Sequence, residues 1–358
     1  MRILFALDSP AWPDSVNGAV ITVHEYALEL VALGHSVAVL GRLVTGGWRN
    51  LRLRLLAKAS GQGLAMDTRA GYPVYRSWLV NKAVARVCAA FQPDVAVVFA
   101  GEMTPLARAL EQAGPRIWLY HHAKSRFNDT GFNPSPTWGQ MACSAFLADS
   151  YAARHGARPA VVPPFVRREK YEVPKTGNSV LFVNPIPDKG VDVALALAEY
   201  RPDVHFVFLE SWSLSSDSLT RTRERTRRLR NVSWRPPTHD MRTAFSSARL
   251  VLIPSRVEEA WGRLPAEAAC SGIPVLASAI GGLVESVGSA GRLVLPDAPM
   301  EDWFRAFGGL WDDPQAYERH ALAARAMAQR QDSTPRRCAL RMVAQLEGPP
   351  GLARAPAA

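Results

Sequence analysis

Two carboxylates flank a predicted helix start in the segment from residue 254 to 278. Glu259 and Glu267 lie eight residues apart, and Pro265 between them suits the first turn of a helix. The backbone N–H groups at that helix start would be free to bind an anion, and they belong to Gly262, Arg263 and Leu264. Because a carboxylate accepts paired hydrogen bonds from a diol, the pattern predicts a ligand with both phosphate and vicinal hydroxyls, such as a nucleotide sugar. Two solvated charges at a helix start are the simpler alternative.

Two further candidate residues follow predicted strands. Lys189, with Gly190 after it, lies between a strand and a helix, so its ammonium group is expected where a phosphate would bind. Gly18 directly precedes the first helix and would let backbone N–H groups approach an anion. The loop around Gly18 has no GxGxxG pattern, which argues against a dinucleotide cofactor there. A solubilising lysine and a plain turn glycine remain the alternatives for these two positions.

The elements that position these residues follow a strand–helix alternation. The predicted strands of the first half are Arg2–Leu7, Ser36–Gly41, Tyr72–Trp78, Asp94–Phe99, Arg116–Tyr120 and Gln140–Ser144, with helices near 19–33, 80–91, 103–113 and 145–155. Prolines crowd residues 159–177, where we place a linker. The alternation then resumes with strands Ser179–Val183, Val204–Leu209, Val232–Trp234, Leu250–Pro254, Pro274–Ala277 and Gly291–Val294, helices near 190–200, 239–247, 263–271 and 300–345, and a serine-rich loop at 211–219. We therefore predict an α/β protein with two tandem doubly wound domains and an interdomain cleft, where ligands bind beyond the carboxyl ends of the strands.

The composition excludes several classes of protein. With 358 residues, 48% of them hydrophobic and 21% charged, the chain is not largely disordered and has the length of two domains. No apolar run approaches the roughly 20 residues that span a bilayer, and the first apolar run is too short for a signal peptide. The four cysteines are far apart and form no CxxC motif, which suits a reduced, cytosolic protein without structural zinc.

The net charge of +10 is concentrated in two stretches. Residues 42–86 hold nine basic residues and one acid, and residues 221–230 hold six arginines and one acid. Neither stretch has the interleaved aromatics of a nucleic-acid platform, so no nucleic-acid partner is expected. Residues 51–55 alternate leucine and arginine, which favours a half-exposed strand or extended loop over a clean amphipathic helix. We interpret both stretches as solvated basic faces, with weak peripheral contact with an anionic membrane as the alternative for the first.

Taken in order along the chain, these motifs resemble the retaining glycosyltransferases of family 4, the group 1 glycosyltransferases. The resemblance covers nearly the whole chain: the Gly18 loop, ALELVALGHSVAVL, NPIPDKG, the two-glutamate segment and AIGGLVESVGSAGRLV. It implies the GT-B architecture, with two Rossmann-like domains. Residues 1–165 would bind the acceptor and residues 166–335 the nucleotide sugar. Residues 336–358 would form a C-terminal helix that returns toward the first domain, followed by a flexible tail.

The resemblance also implies roles for the candidate residues. Glu267 would bind the ribose hydroxyls of the nucleotide. Glu259 would bind hydroxyls of the transferred sugar and Lys189 would neutralise the diphosphate, which makes these two the catalytic residues. The remaining donor contacts would come from Gly18, Asn184, Gly262, Arg263 and Leu264.

The chain departs from the family pattern at two positions. Asn184 stands where many members have an arginine five residues before the lysine, so the second diphosphate cation would be missing or supplied by Arg256 or Arg263. Many members also have a histidine that contacts a sugar hydroxyl, where this chain reads Gly-Glu-Met at residues 101–103. Candidates for sugar or acceptor contacts are therefore Glu102, His121 and His122, although a histidine pair at a strand end is as often structural.

The implied reaction transfers a sugar from a nucleoside-diphosphate sugar to an acceptor hydroxyl with retention of anomeric configuration. Electrostatic stabilisation of the leaving diphosphate would drive it, and no DxD diacid indicates a metal ion or cofactor. The acceptor would be a saccharide, a lipid-linked saccharide or a small molecule. We expect a cytoplasmic protein, soluble or loosely peripheral at the inner face of the membrane. A non-catalytic GT-B binding protein, and a sugar-nucleotide epimerase or phosphorylase on the same fold, are the alternative functions.

Overall fold

A computed structural model describes residues 1–46, 50–61, 63–100, 102–128, 131–174, 176–210, 216–238, 240–330 and 333–349. The chain forms two compact units. Unit 1 comprises Met1–Phe165 and Pro335–Ala358, and unit 2 comprises Val166–Thr334. The chain therefore passes from one unit to the other twice, near residues 165 and 335. The tail that was expected to be flexible lies, from residue 350 onward, outside the described residues.

Unit 1 is built on an eight-stranded sheet. Its strands are β1 (Arg2–Pro10), β2 (Ser36–Arg42), β3 (Leu64–Asp67), β4 (Val74–Ser77), β5 (Val95–Ala100), β6 (Arg116–His121), β7 (Gly139–Ala142) and β8 (Ala160–Val161). Between them lie α1 (Gly18–Ala32), α2 (Leu51–Ala59), α3 (Val80–Phe91), α4 (Met103–Gln112), α5 (Ser125–Asn128) and α6 (Ala145–His155). The strand order is β3-β4-β2-β1-β5-β6-β7-β8, and among these described strands only β3 pairs antiparallel, with β4. Because β1 lies between β2 and β5, the strand order reverses at β1, and the loop after β1 lies at the point where such sheets bind ligands.

Unit 2 is built on a six-stranded sheet in which every pair is parallel. Its strands are β9 (Ser179–Val183), β10 (His205–Leu209), β11 (Val232–Arg235), β12 (Ala248–Ile253), β13 (Val275–Ser278) and β14 (Gly291–Val294). Its helices are α7 (Val191–Tyr200), α8 (Ser216–Arg227), α9 (Arg242–Phe245), α10 (Arg263–Ala269), α11 (Leu283–Val287), α12 (Met300–Trp311) and α13 (Pro314–Ala328). The order β11-β10-β9-β12-β13-β14 places the reversal between β9 and β12, so the loops after these two strands lie side by side.

Both faces of the unit 2 sheet are buried, as helices on both sides require. Alternate residues of each strand face opposite layers: Phe182 packs in the layer with α7 and α12, whereas Leu181 packs in the layer with α10 and α11. The strands therefore read as continuous apolar runs, such as Leu250–Ile253. These two cores hold the carboxyl ends of β9 and β12 in fixed positions.

The last helix in the described part of the chain, α14 (Pro335–Glu347), follows unit 2 in sequence but belongs to unit 1. One face of α14 is buried, and it packs against α1. The buried residues of this face are Cys338, Ala339, Met342, Val343 and Leu346. Their spacing of three, four and one residues is that of an amphipathic helix.

Most predicted elements are present, with specific exceptions. The stretch 51–55 is helical, as part of α2, and the prediction of a strand or extended loop is wrong. Leu53 and Ala57, one turn apart, are buried against Leu43 and Ala65, and this tertiary contact outweighs the leucine–arginine alternation. The predicted serine-rich loop at 211–219 overlaps α8, which begins at Ser216, and the predicted linker at 159–177 includes β8.

Candidate active site

Lys189 lies at the carboxyl end of β9, where it ends a short 3₁₀ helix, Pro187–Lys189. Gly190 then turns the chain into α7 with φ of 74°. A Cβ atom at Gly190 would lie 1.8 Å from the carbonyl oxygen of Pro254, so only glycine allows this approach to the loop after β12. The backbone N–H of Arg256 donates to the carbonyl of Asp188 at 2.9 Å, which ties the two loops together.

Glu259 lies on the loop after β12 and binds Lys189. The Lys189 Nζ atom donates to Glu259 Oε1, and the hydroxyl of Ser255 donates to the same oxygen at 2.7 Å. The two charged side chains remain 23% and 20% exposed, so a ligand can reach both. The structure thus brings together two of the predicted residues, and it adds Ser255, which was not among the candidates from sequence.

A glycine pair fixes the backbone of Glu259. The N–H of Gly282, just before α11, donates to the carbonyl of Glu259 at 2.7 Å. A Cβ atom at Gly281 would lie 2.5 Å from that carbonyl oxygen. These two glycines belong to the motif AIGGLVESVG, whose sequence signal is a glycine pair ahead of a short helix. They position Glu259 without contacting its carboxylate.

Glu267 lies in α10, one turn after Arg263, and the two side chains are paired at 3.3 Å between Arg263 Nε and Glu267 Oε1. Helix α10 begins after Gly262, whose φ of 81° and close contact with Leu283 favour glycine there. The side chain of Glu267 is 10% exposed, more enclosed than that of Glu259. Burial, followed by the charge of Glu267, raises the pKa of the adjacent Cys270 thiol to about 12, so this thiol stays protonated at neutral pH.

Asn184 follows β9 directly and has a φ of 68°, a left-handed conformation that asparagine tolerates better than most residues. It is 1% exposed, and its N–H donates to the carbonyl of Leu209. Arg256, a candidate for the second diphosphate cation, is exposed, and its guanidinium donates to the carbonyl of Pro296. Arg263, the other candidate, is paired with Glu267.

In unit 1, Gly18 is the exposed first residue of α1. The Asn17 side chain caps this helix by accepting from the N–H of Val20 at 3.0 Å. The preceding loop is held by Arg76, which donates to Asp14 at 2.8 Å and to the carbonyl of Trp12 at 2.8 Å. Arg76 is fully buried, so it is not part of the basic surface expected of residues 42–86.

The prediction that His121 contacts a ligand is wrong, because its side chain is buried in the core of unit 1. It is 0% exposed, its Nε2 atom lies 2.8 Å from the Gln140 amide oxygen, and its ring packs against Phe127 and Tyr151. Burial, only partly offset by the bond to Gln140, lowers its pKa to about 4. His121 is therefore a neutral core histidine.

The other two candidates are reachable from solvent. His122 is partly exposed beyond β6 and stacks on Phe99, and Glu102 is exposed at the start of α4, beyond β5. Because β5 and β6 are neighbours, both residues lie at the same edge of the unit 1 sheet.

The part of the chain that the structure describes contains no group of three or more His, Cys, Asp or Glu side chains placed to hold a metal ion. The charged residues at this edge of the unit 2 sheet include Lys189, Glu259, Arg263, Glu267 and Arg256. Such a mixture of cations and carboxylates can bind an anion and hydroxyl groups at once.

Two doubly wound α/β units, one of which carries Lys189 and Glu259 at its strand reversal, define the GT-B fold. Solved structures agree with this assignment over almost the whole chain. HepE from Anabaena, solved in complex with UDP-glucose, matches 96% of this chain and 99% of its own with a TM-score of 0.76 at 16% identity. A glycosyltransferase from Rickettsia africae matches 96% of this chain and 97% of its own with a TM-score of 0.73 at 15% identity.

Sequence comparisons show a similarity over the second half of the chain. The profile of the family "Glycosyl transferases group 1" matches residues 166–327, a segment that lies within unit 2. The chain is also similar to D-inositol 3-phosphate glycosyltransferase of Mycobacterium leprae, with 36% identity over 131 residues, which are 34% of this chain. The matched part spans 30% of the length of that relative.

Proposed function

We propose that this protein is a glycosyltransferase that moves a sugar from a nucleoside-diphosphate sugar to an acceptor hydroxyl with retention of anomeric configuration and without a metal ion. The observation that carries the proposal is the Lys189–Glu259 pair between the ends of β9 and β12, within the family-matched segment. A cation for the diphosphate and a carboxylate for hydroxyls lie together there. Glu267, one helix turn into α10, supplies the second carboxylate, for the ribose.

The proposed reaction breaks the bond between the anomeric carbon and the diphosphate oxygen and forms a bond from the same carbon to the acceptor oxygen. Lys189 stabilises the charge that develops on the leaving diphosphate. The acceptor attacks on the face that the diphosphate leaves, and the departing phosphate oxygen takes the acceptor proton. Glu259 holds the sugar through its hydroxyls during this step, so no enzyme nucleophile is required.

Nucleotide binding is the first test. UDP, GDP, ADP, dTDP and CDP are compared by thermal shift, and UDP is of particular interest because HepE was solved with UDP-glucose. A nucleotide present at 100 times its dissociation constant stabilises the protein by about 2.7 kcal/mol, so one nucleotide should exceed the others clearly. If none of the five shifts the melting temperature, the proposal is contradicted.

Substitutions at the site are the second test. Lys189→Ala and Glu267→Ala should each weaken binding of the preferred nucleoside diphosphate by about 1–3 kcal/mol, because each removes a charge-assisted hydrogen bond. Calorimetry measures this, with Glu224→Ala on the exposed face of α8 as the control. Nucleotide affinity that is unchanged in both variants would refute the site.

Catalysis itself separates this proposal from a non-catalytic binding protein. An active transferase should hydrolyse its donor slowly when no acceptor is present, and the rate should persist in EDTA. With an acceptor, NMR of the product linkage should show the anomeric configuration of the donor. An inverted product would contradict the retaining mechanism.

We also propose weak contact between unit 1 and an anionic membrane, which would place the protein at the inner face of the membrane. Helix α2 supports this proposal because its outer ridge, formed by Leu51, Leu55 and Ala59, is apolar. Leu51 and Leu55 are 51% and 58% exposed, with Arg54 and Lys58 on one flank and Arg52 on the other. An ordinary surface helix has charged residues along that outer line, whereas a helix lying on a membrane has apolar residues there between cations. No helix in the described ranges is long and apolar enough to cross a membrane.

A further inference from the structure

Lys189 and Glu259 form an ion pair with each other, although in the proposed function they bind different parts of the donor. Lys189 is assigned to the diphosphate and Glu259 to the sugar, yet each is the other's partner here. The hydroxyl of Ser255, which is fully buried, adds a third contact to the same Glu259 oxygen. A donor that draws Lys189 to its diphosphate and Glu259 to its sugar therefore competes with this pair.

The backbone beneath the pair leaves little freedom for the loops to separate. Gly190 contacts Pro254 closely, the N–H of Arg256 binds Asp188, and Gly282 holds the carbonyl of Glu259. The exchange of partners is therefore a movement of two partly exposed side chains over a fixed frame. Its free energy depends on what the ligand offers to each of them.

We propose that the Lys189–Glu259 pair makes the site discriminate between the sugar-bearing donor and the nucleoside diphosphate that remains after transfer. This inference rests on the proposed function and specifies how the same site selects its ligand. A donor gives Lys189 a phosphate and gives Glu259 sugar hydroxyls, so both charges regain partners. A bare nucleoside diphosphate takes Lys189 and leaves Glu259 with Ser255 alone, beside a second anion. The loss of the cation partner of Glu259 therefore weakens binding of the product only.

The same exchange favours release of the product. Once the sugar has left, Glu259 competes with the diphosphate for Lys189, and re-forming the ion pair weakens the hold on the nucleotide. A pair that was only structural would instead stabilise the loop and have no preference between the two ligands. Removing the carboxylate charge therefore distinguishes the two roles. If the pair competes with the diphosphate for Lys189, the bare diphosphate should bind tighter; if the pair is only structural, the preference between the two ligands should not change.

Calorimetry on the full chain tests the inference. The probes are UDP and the best bound of several UDP-sugars, or the corresponding pair for another nucleotide if the wild type prefers it. Glu259→Gln should bind the bare diphosphate about three- to tenfold tighter, because Lys189 is released, and should bind the sugar nucleotide no better. The ratio of the two affinities should therefore fall by at least the same factor. Thermal unfolding checks that each variant is folded.

Two control variants show whether the gain in affinity comes from the release of Lys189. Glu258→Gln deletes the same charge at the exposed neighbouring residue, and it should change the affinity for UDP less than twofold. In a Lys189→Met background, Glu259→Gln should no longer tighten UDP, because there is no lysine to release. The inference is overturned if Glu259→Gln binds UDP no tighter than the wild type, if Glu258→Gln has the same effect, or if the gain persists without Lys189. A wild type that binds none of the nucleotides contradicts the proposed function itself.

Discussion

Arg76 is a buried arginine within a stretch that the sequence predicts to be a solvated basic face. It lies within the most basic stretch of the chain, yet its side chain is 0% exposed and contacts Asp14 at 2.8 Å and Asp67 at 2.7 Å. Asn50 donates to the second oxygen of Asp14 at 2.8 Å. One guanidinium therefore joins the loop before α1 to β3 and β4, which fixes the position of Gly18.

Arg76→Ala should destabilise unit 1 by about 3–5 kcal/mol, because it removes the cation bound to the largely enclosed carboxylate of Asp14 and one of the two cations bound to Asp67. Arg69→Ala is the matched control, because Arg69 binds the same Asp67 from a side chain that is 49% exposed. Its loss should lower the free energy of unfolding by at most about 1 kcal/mol. Urea denaturation measures both. Equal losses in the two variants would show that burial of Arg76 has no energetic consequence.

His121 gives the protein a specific pH dependence. Its folded-state pKa of about 4 lies below the ordinary value of 6.5, so the unfolded chain binds the proton more readily than the folded one. The stability from the neutral ring is complete above pH 6.5 and decreases as the pH falls from 6.5 toward 4. The full loss would be about 3 kcal/mol.

In His121→Gln this part of the acid sensitivity should disappear, because glutamine can bond to Gln140 without titrating. The measurement is the free energy of unfolding at pH 7 and pH 4.5 in wild type and variant. His205→Gln removes an exposed imidazole and should leave the wild-type difference intact. An unchanged pH dependence in His121→Gln would place the acid sensitivity elsewhere.

At the scale of elements, helix α2 is where the prediction from sequence, a strand or extended loop, was wrong. Alternating leucine and arginine fits a two-residue period, and the short helix becomes recognisable only once β3 and Trp78 are known to cover Leu53 and Ala57. Strand β3 has only four residues and the weak alternation of an edge strand, so its sequence signal is equally small. Long elements with one strongly apolar face, such as α3 and α4, were predicted to within a residue or two.

The candidate site was predictable in its parts but not in its pairing. Each of Lys189 and Glu259 could be placed at a strand end from local pattern alone. That the two strands are neighbours depends on the order β9-β12, which local pattern does not contain. Ser255 contacts Glu259 within the folded loop after β12, and the glycines at 281 and 282 reach Glu259 from the loop after the neighbouring strand β13. Local pattern contains neither the conformation of that loop nor the adjacency of these strands, so the roles of these residues could not be predicted.

Helix α2 should also determine any membrane association. Vesicles with anionic lipid should co-sediment the protein at low salt and release it at high salt, since each basic residue near the surface adds about 1 kcal/mol. Changing Arg52, Arg54 and Lys58 to Gln, or Leu51 and Leu55 to Ser, should abolish binding. The charge-matched control changes Arg221, Arg227 and Arg228 in the second basic stretch and should bind like the wild type. Loss of binding in that control, or no binding by the wild type, would contradict a role for α2.

At the scale of the whole molecule, unit 1 is assembled from two separate parts of the chain. A chain that stops after Thr334 lacks α14, whose five buried side chains include Met342, Val343 and Leu346. Because burying each large apolar side chain contributes about 1.5–3 kcal/mol, unit 1 should lose about 5 kcal/mol or more. Unit 2 should keep its own cooperative transition.

Limited proteolysis and thermal unfolding measure this difference. A chain that stops after Gly348 retains α14 and serves as the control, with stability close to that of the full chain. If the shorter chain unfolds like the control, α14 contributes little and the packing of α14 on α1 is not needed.

The position of α14 has a consequence for the order in which the protein folds during its synthesis. Most of unit 1 leaves the ribosome first, but α1 cannot be covered until Pro335–Glu347 has emerged, and all of unit 2 is translated in the interval. Unit 2 is contiguous in sequence, so it can reach its native state while unit 1 still exposes an apolar helix face. The nascent chain is therefore most exposed to aggregation and to chaperones through unit 1, until the last helix is made.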